Sequence, residues 1–244
     1  MPSEYNNIDV IGSTFETASN PYTKKIRTFY HKQQVKTVNE LIKKMGLKDF
    51  GRIIDLGCSD GGWYDDYKNM SFKKIIGVDI SEERLIKAKQ RGYNETHVCN
   101  AYNLPLGNQS EICVIANGVL VHVLQDTDKL KIFKEVKRVL KKKGIFIFSI
   151  SNASGVGFKT DTTKEYSRWN KPKTISKLVL ESGLAIEYIL PSYYLVPKIG
   201  RRKNLVNFST NFVYPLTEFI LKKFNNLTYS KVVYFGVRKI DEKS

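Results

Sequence analysis

The feature that most limits the fold is an alternation running through the middle of the chain. Short apolar runs recur at residues 52–56, 75–79, 96–99, 112–116 and 145–150, and segments of helical periodicity lie between several of them. A run that is apolar on both faces suits a strand covered on both sides, and intervening helices supply the crossovers that parallel strands need. Residues 82–91 follow Ser81, a good N-cap, and carry acids in their first turn. Residues 128–143 place Leu130, Phe133, Val136, Val139 and Leu140 on one face. They end in Lys141-Lys142-Lys143 before Gly144, which predicts a helix C-terminus there. Ahead of the core, Ile26 to Met45 show three- and four-residue apolar spacing with Gly46 as the cap. The pattern predicts an α/β fold with a doubly wound, mostly parallel sheet.

Past residue 150 the pattern loosens. Residues 172–183 read as a helix opened by Pro172 and stopped by Gly183, and 184–190 and 230–237 read as two late strands. Between these strands lies an insertion, residues 191–230, far longer than the ~4–6 residues of an ordinary connection. It interleaves Tyr193, Tyr194, Phe208, Phe212, Tyr214, Phe219, Phe224 and Tyr229 with Lys198, Arg201, Arg202, Lys203, Lys222 and Lys223. Substrate selection is the natural role for such a segment. One domain is expected over 1–244: an N-terminal helical extension at 1–48, a core at 49–150 and a substrate-side half at 151–244.

With 41% hydrophobic residues, 14 Tyr, 13 Phe and 2 Trp, the chain can bury a full core, which excludes a disordered protein. The formal charge is +16, and residues 151–244 alone carry 16 basic against 7 acidic side chains. Such a field suits nucleic acid, an anionic membrane surface or a phosphorylated substrate, but no recognisable nucleic-acid module accompanies it, and scattered lysines on a solvated surface are the preferred reading. Cys58, Cys99 and Cys113 are odd in number and lack metal-ligand spacing, so neither a disulfide framework nor a metal site is expected. No signal pattern opens the chain and no apolar run reaches the ~18–20 residues of a membrane span, so a cytoplasmic location is expected.

The strongest chemical signal is Ile53-Ile54-Asp55-Leu56-Gly57-Cys58-Ser59-Asp60-Gly61-Gly62, at the end of the first run. A strand ending in small residues lets backbone N–H groups approach a ligand closely. The second run closes on Asp79, 18 residues past Gly61, where a carboxylate can accept both hydroxyls of a ribose. A dinucleotide site wants G-x-G-x-x-G and has no need of an acid at 55, so the frame Asp55-x-Gly57-x-Ser59-x-Gly61 fits better.

That frame resembles the first motif of the class I S-adenosylmethionine-dependent methyltransferases, in their small-molecule (type 11/25-like) branch. Val78-Asp79-Ile80-Ser81 is similar to the family's second motif. Residues 100–106 resemble the stretch bordering the adenine, 116–123 the fourth-strand motif, and 136–144 the helix and turn before the fifth strand. The resemblance implies a seven-stranded, Rossmann-like sheet, with S-adenosyl-L-methionine as cofactor and S-adenosyl-L-homocysteine as product. It implies that Asp55 orients the first loop toward the methionine amino group, directly through that loop or through water, or else caps nearby backbone donors. Gly57 and Gly61 hold backbone near the methionine part, with Cys58, a small packing residue, and Ser59 completing the turn. Asp79 takes the ribose with Ile80 beside it, Asn100 and Ala101 border the adenine, and Asn117 faces the crevice or caps its strand. Three departures stand out. Ser59 replaces the usual middle glycine, Asn100 the usual Asp, and Lys142-Lys143 the usual Pro-Gly.

No catalytic residue is assigned. His122, in an apolar setting, reads as structural, and His31 as either a surface residue or part of a segment closing over the cofactor. In-line displacement at a sulfonium needs alignment more than a base. The acceptor is expected to be a small molecule or glycan. The alternatives are RNA, a non-catalytic cofactor-binding protein and an NAD-dependent oxidoreductase. The apolar segment at 213–224 is read as a helical cap over the crevice, with peripheral membrane contact as the alternative.

Overall fold

The computed structural model describes residues 21–154, 161–164, 166–194, 212–223, 227 and 230–240. The five apolar runs become β1 (Arg52–Leu56), β2 (Lys74–Asp79), β3 (Glu95–Val98), β4 (Glu111–Ala116) and β5 (Leu140–Ser151), each parallel to its neighbours. A short hairpin, β6 (Thr162–Lys164) and β7 (Ser167–Trp169), follows. Then β8 (Leu184–Tyr194) and β9 (Ser230–Lys239) complete the sheet, with β9 antiparallel between β5 and β8. The order is β3-β2-β1-β4-β5-β9-β8, a seven-stranded, mostly parallel, doubly wound sheet.

Strand parity explains why the runs are apolar throughout. Ile53, Ile75, Cys113, Ile115, Ile145 and Ile147 face one layer, while Ile54, Leu56, Ile76, Val78, Val114, Phe146 and Phe148 face the other. The first layer is covered by α1 (Pro21–Lys44), α2 (Tyr64–Asn69) and α3 (Glu82–Arg91), through Val38, Leu41, Tyr67, Leu85 and Ala88. The second is covered by α4 (Asp126–Val139) and α5 (Pro172–Glu181), through Phe133, Val136, Ile175 and Val179. Parity also turns Asp55 toward the first layer, which decides its partners.

Ser81 caps α3, its Oγ accepting from Arg84 N at 3.4 Å; Gly46 and Gly183 end their helices at positive φ, as the spacing predicts, and Gly92 ends α3 in the same way. Two boundaries differ. Helix α4 stops at Val139 rather than running to 143, because the carbonyls of Arg138 and Val139 accept from Gln109 N and Ser110 N and Leu140 swings into β5 opposite Glu111. The lysine triplet is therefore strand, not helix tail. Strand β8 runs on to Tyr194, so residues 191–194 of the expected insertion are paired with β9.

Helix α6 (Tyr214–Lys223) leaves Leu216, Phe219 and Ile220 exposed, as is Phe212 just before it. Among the described residues no helix is long and apolar enough to cross a membrane. The expected roles of Phe208, Phe224, Tyr229, Lys198, Arg201, Arg202 and Lys203, and the irregular first 20 residues, lie outside the described residues. The β6–β7 hairpin was not anticipated. It is tied across the chain after β4 by Arg168 N to Val121 O at 2.7 Å and Arg168 Nη2 to Asp126 Oδ2 at 2.9 Å.

Candidate active site

The parallel strands all end at one edge of the sheet, where ligands of open α/β sheets bind. Past Leu56 the chain turns through Gly57 (φ +74°), Ser59 (φ +52°) and Gly61 (φ +83°). Gly57 N and Cys58 N both donate to Val78 O, at 2.7 and 3.0 Å, stitching the loop to β2. A Cβ on Gly57 would stand 2.4 Å from Val119 Cγ2, so only glycine lets the two loops approach this closely. Ser59 has no such freedom, and a left-handed conformation costs a serine roughly 1–2 kcal/mol. Its N–H donates to Asp79 Oδ2 at 2.9 Å, which offsets that cost.

Asp79 is the hinge of this arrangement. Its other oxygen accepts from Ser81 N at 3.0 Å, so one carboxylate joins the glycine turn, the end of β2 and the start of α3. Ile80, next in the chain, is 52% exposed at the edge of a buried strand. Cys99 N donates to Asp79 O at 3.0 Å, which holds Asn100 and Ala101 beside it. Asn100 turns its own loop, its Oδ1 accepting from Tyr102 N at 3.3 Å.

Asp55 does something other than the motif suggests. It is only 2% exposed, and both its oxygens are taken: Tyr67 donates to Oδ1 at 3.0 Å and Tyr93 to Oδ2 at 2.5 Å. The network continues. Asn117 Nδ2 donates to Tyr67 Oη at 3.0 Å, and Tyr234 donates to Asn117 Oδ1 at 2.9 Å. Burial pushes the Asp55 carboxyl up to about 7, the two tyrosine hydroxyls pull it back, and the Asp79 charge adds to the rise. Asp55 therefore acts from behind the loop. Tyr93 packs under both Gly61 and Gly77, where added Cβ atoms would come within 2.8 and 2.9 Å of its ring, so Asp55 steadies the glycine turn through that ring.

Cys58 is buried with its sulfur against Gly77, and burial together with the Asp55 and Asp79 charges pushes its thiol far up, so it is a packing residue. His122 is lowered by burial, and its Nδ1 lies 3.3 Å from Tyr166 O in the β6–β7 hairpin, a structural tie. His31 Nε2 pairs with Asp66 Oδ2 at 2.7 Å and its ring meets Trp63 edge-on at 4.8 Å, linking α1 to α2. Among the described residues no group of His, Cys, Asp and Glu could hold a metal ion.

Sequence reasoning missed Tyr67, Tyr93 and Tyr234, and with them the polar network. The available signal was weak: three tyrosines among 14, none with diagnostic spacing. A hydroxyl on a fully buried ring needs a partner, which is a clue only once burial is known.

The sequence profile of the family described as "Methyltransferase domain" matches residues 54–148. An uncharacterized protein of Methanocaldococcus jannaschii is 27% identical over 175 residues, 71% of this chain and 72% of that protein. An uncharacterized methyltransferase of Schizosaccharomyces pombe is 28% identical over 122 residues, 46% of this chain and 44% of its own length. Among solved structures, an S-adenosylmethionine-dependent methyltransferase of Clostridium acetobutylicum aligns with a TM-score of 0.63 at 16% identity, covering 97% of this chain and 99% of that one.

Proposed function

We infer that this chain is a class I S-adenosylmethionine-dependent methyltransferase, supported by the match of residues 54–148 to a methyltransferase-domain family and by the shared fold. The proposal is that it transfers a methyl group to a small-molecule or glycan-like acceptor by in-line displacement. The observation that carries it is Asp79 bonded to both Ser59 N and Ser81 N. That arrangement presents a carboxylate with spare lone pairs beside a glycine-bearing backbone turn.

The residues present fit such a cofactor. Ile80, exposed beside Asp79, offers an apolar face for a purine. Asp79 would accept from the ribose hydroxyls, Asn100 and Ala101 would border the adenine edge, and the backbone of Gly57, Cys58, Ser59 and Gly61 would face the methionine part. Asn117, its amide held by Tyr67 and Tyr234, would stand at the mouth of the acceptor side. Asp55, buried and held by Tyr67 and Tyr93, would support the turn from beneath rather than meet the ligand. When bound, S-adenosylmethionine supplies a methyl group on an electrophilic sulfonium. The chain's share is then alignment and exclusion of water, which agrees with a site where neither His31 nor His122 is placed as a base.

Calorimetric titration tests this. The protein should bind S-adenosylhomocysteine and not NAD, and Asp79→Ala should weaken that binding by about 1–3 kcal/mol. Affinity unchanged in Asp79→Ala, or binding of NAD alone, would overturn the reading. RNA is the second reading, favoured by the net charge of +16. It requires affinity for a short RNA that falls steeply with salt, whereas a small acceptor does not.

A further inference from the structure

Beyond Asn117 the same edge of the sheet is walled by aromatic rings from several elements. Tyr67 stacks on Trp63 with centroids 5.9 Å apart, Trp63 meets His31 of α1, and the adjoining Tyr30 stacks on Tyr193 of β8 at 4.3 Å and 18°. The wall ends at Lys231, the second residue of β9, whose Nζ lies 5.8 Å from the Tyr30 ring centroid. Antiparallel pairing is what brings it there. Ser151, the last residue of β5, lies opposite Val232, and Asn152 N donates to Lys231 O at 2.9 Å, so β9 begins where β5 ends.

Lys231 is a partly buried cation, and among the described residues no carboxylate pairs with it. Burial alone pulls its ammonium below the usual lysine range. Three other partly buried cations each have an acid: Arg52 has Glu111, Arg138 has Glu135, and Arg168 has Asp126. A desolvated charge facing a π-system is stabilised by a ring, but an anion stabilises it more. On β9, Lys231 lies three residues before Tyr234, whose hydroxyl donates to Asn117, and β9 and β2, which ends in Asp79, are separated in the sheet by β1, β4 and β5.

We propose that Lys231 is the specificity determinant for the methyl acceptor, which carries a carboxylate or phosphate monoester on an apolar, ring-sized body. This rests on the methyltransferase reading above and deepens it. The anion pairs with Lys231, and the body lies along the rings of Tyr30 and Trp63. The acceptor atom then reaches Asn117, where the cofactor's methyl end is inferred to lie.

The test uses the full chain saturated with S-adenosylhomocysteine and three probes of matched shape: benzoate, phenyl phosphate and neutral benzamide. Benzoate or phenyl phosphate should bind and benzamide should not, and the preferred anion tells carboxylate from phosphate. Lys231→Met should weaken the anion by at least about tenfold, while Lys231→Arg keeps it within about threefold. Both variants should bind S-adenosylhomocysteine like the parent, which reports that they are folded. Anion affinity should also fall at a lower pH than an exposed lysine would give, since the ammonium titrates early. Benzamide binding as well as the anions overturns the proposal, as does anion affinity unchanged in Lys231→Met, or neither anion binding the saturated protein. Failure of the parent chain to bind S-adenosylhomocysteine instead removes the methyltransferase reading itself, and this proposal with it.

Discussion

At the scale of single residues, the site is a set of positions where one atom more is too many or one hydrogen bond fewer leaves a strained turn unsupported. Gly57 is the sharpest case. Gly57→Ala combines a left-handed backbone (φ +74°) with a methyl 2.4 Å from Val119 Cγ2. Together these should cost about 2–4 kcal/mol of stability, measurable as a shift in the denaturant midpoint. Adding Val119→Ala should return the steric share and leave the backbone share, so a double-mutant cycle that shows no coupling would refute the packing described. Asp79 had been legible from its place at the end of an apolar run, because strand ends at the carboxyl edge are where ligands meet the sheet. Asp55 was legible as a position but not as a role. Its partners, Tyr67 and Tyr93, lie 12 and 38 residues away, and no local pattern announces them.

Among elements, α1 carries the heaviest dependence. Its apolar stripe, Val38, Leu41, Ile42 and Met45, covers β9, and its amino-terminal half delivers Tyr30 and His31 to the acceptor wall. Leu41 is fully buried, so Leu41→Ala should cost about 2–5 kcal/mol in chemical denaturation. Since Leu41 lies about two turns or more from His31, affinity for S-adenosylhomocysteine in the folded fraction should stay at the parent value. A loss of that affinity without a loss of stability would show that α1 positions the cofactor loop rather than the sheet. The element boundaries that the periodicity misjudged have one physical cause. Helix α4 and strand β8 end where partners from elsewhere take up their backbone groups, at Gln109 and Ser110 for the helix and along β9 for the strand. Neither signal is present in the segment's own sequence.

For the whole molecule, the buried Asp55 makes a pH dependence that can be signed. The folded carboxyl holds its proton up to about 7, against about 3.8 for the ordinary group, so the native state binds the extra proton between those values. This contribution to stability is therefore greatest below about pH 4 and declines as pH rises to about 7, by of order 4 kcal/mol in the limit. Asp55→Asn should flatten that slope between about pH 4 and pH 7, and equal slopes in parent and variant would remove the assignment. A ligand that binds only the native chain adds to this, so S-adenosylhomocysteine at ~100 times its Kd should raise stability by about 2.7 kcal/mol at either pH. Residue order by itself determined that five strands would lie parallel with helices on both faces, and that Asp79 would close the second of them at the ligand edge. Hydrophobic period and turn chemistry are local, so they can be read along the chain. The tertiary structure alone decided that Asp55 would face two tyrosines, that Tyr234 would reach Asn117 across 117 residues, and that Lys231 would lie over the ring of Tyr30. Those contacts depend on which strand lies next to which and on which face each residue turns inward, and both are settled only when the layers stack.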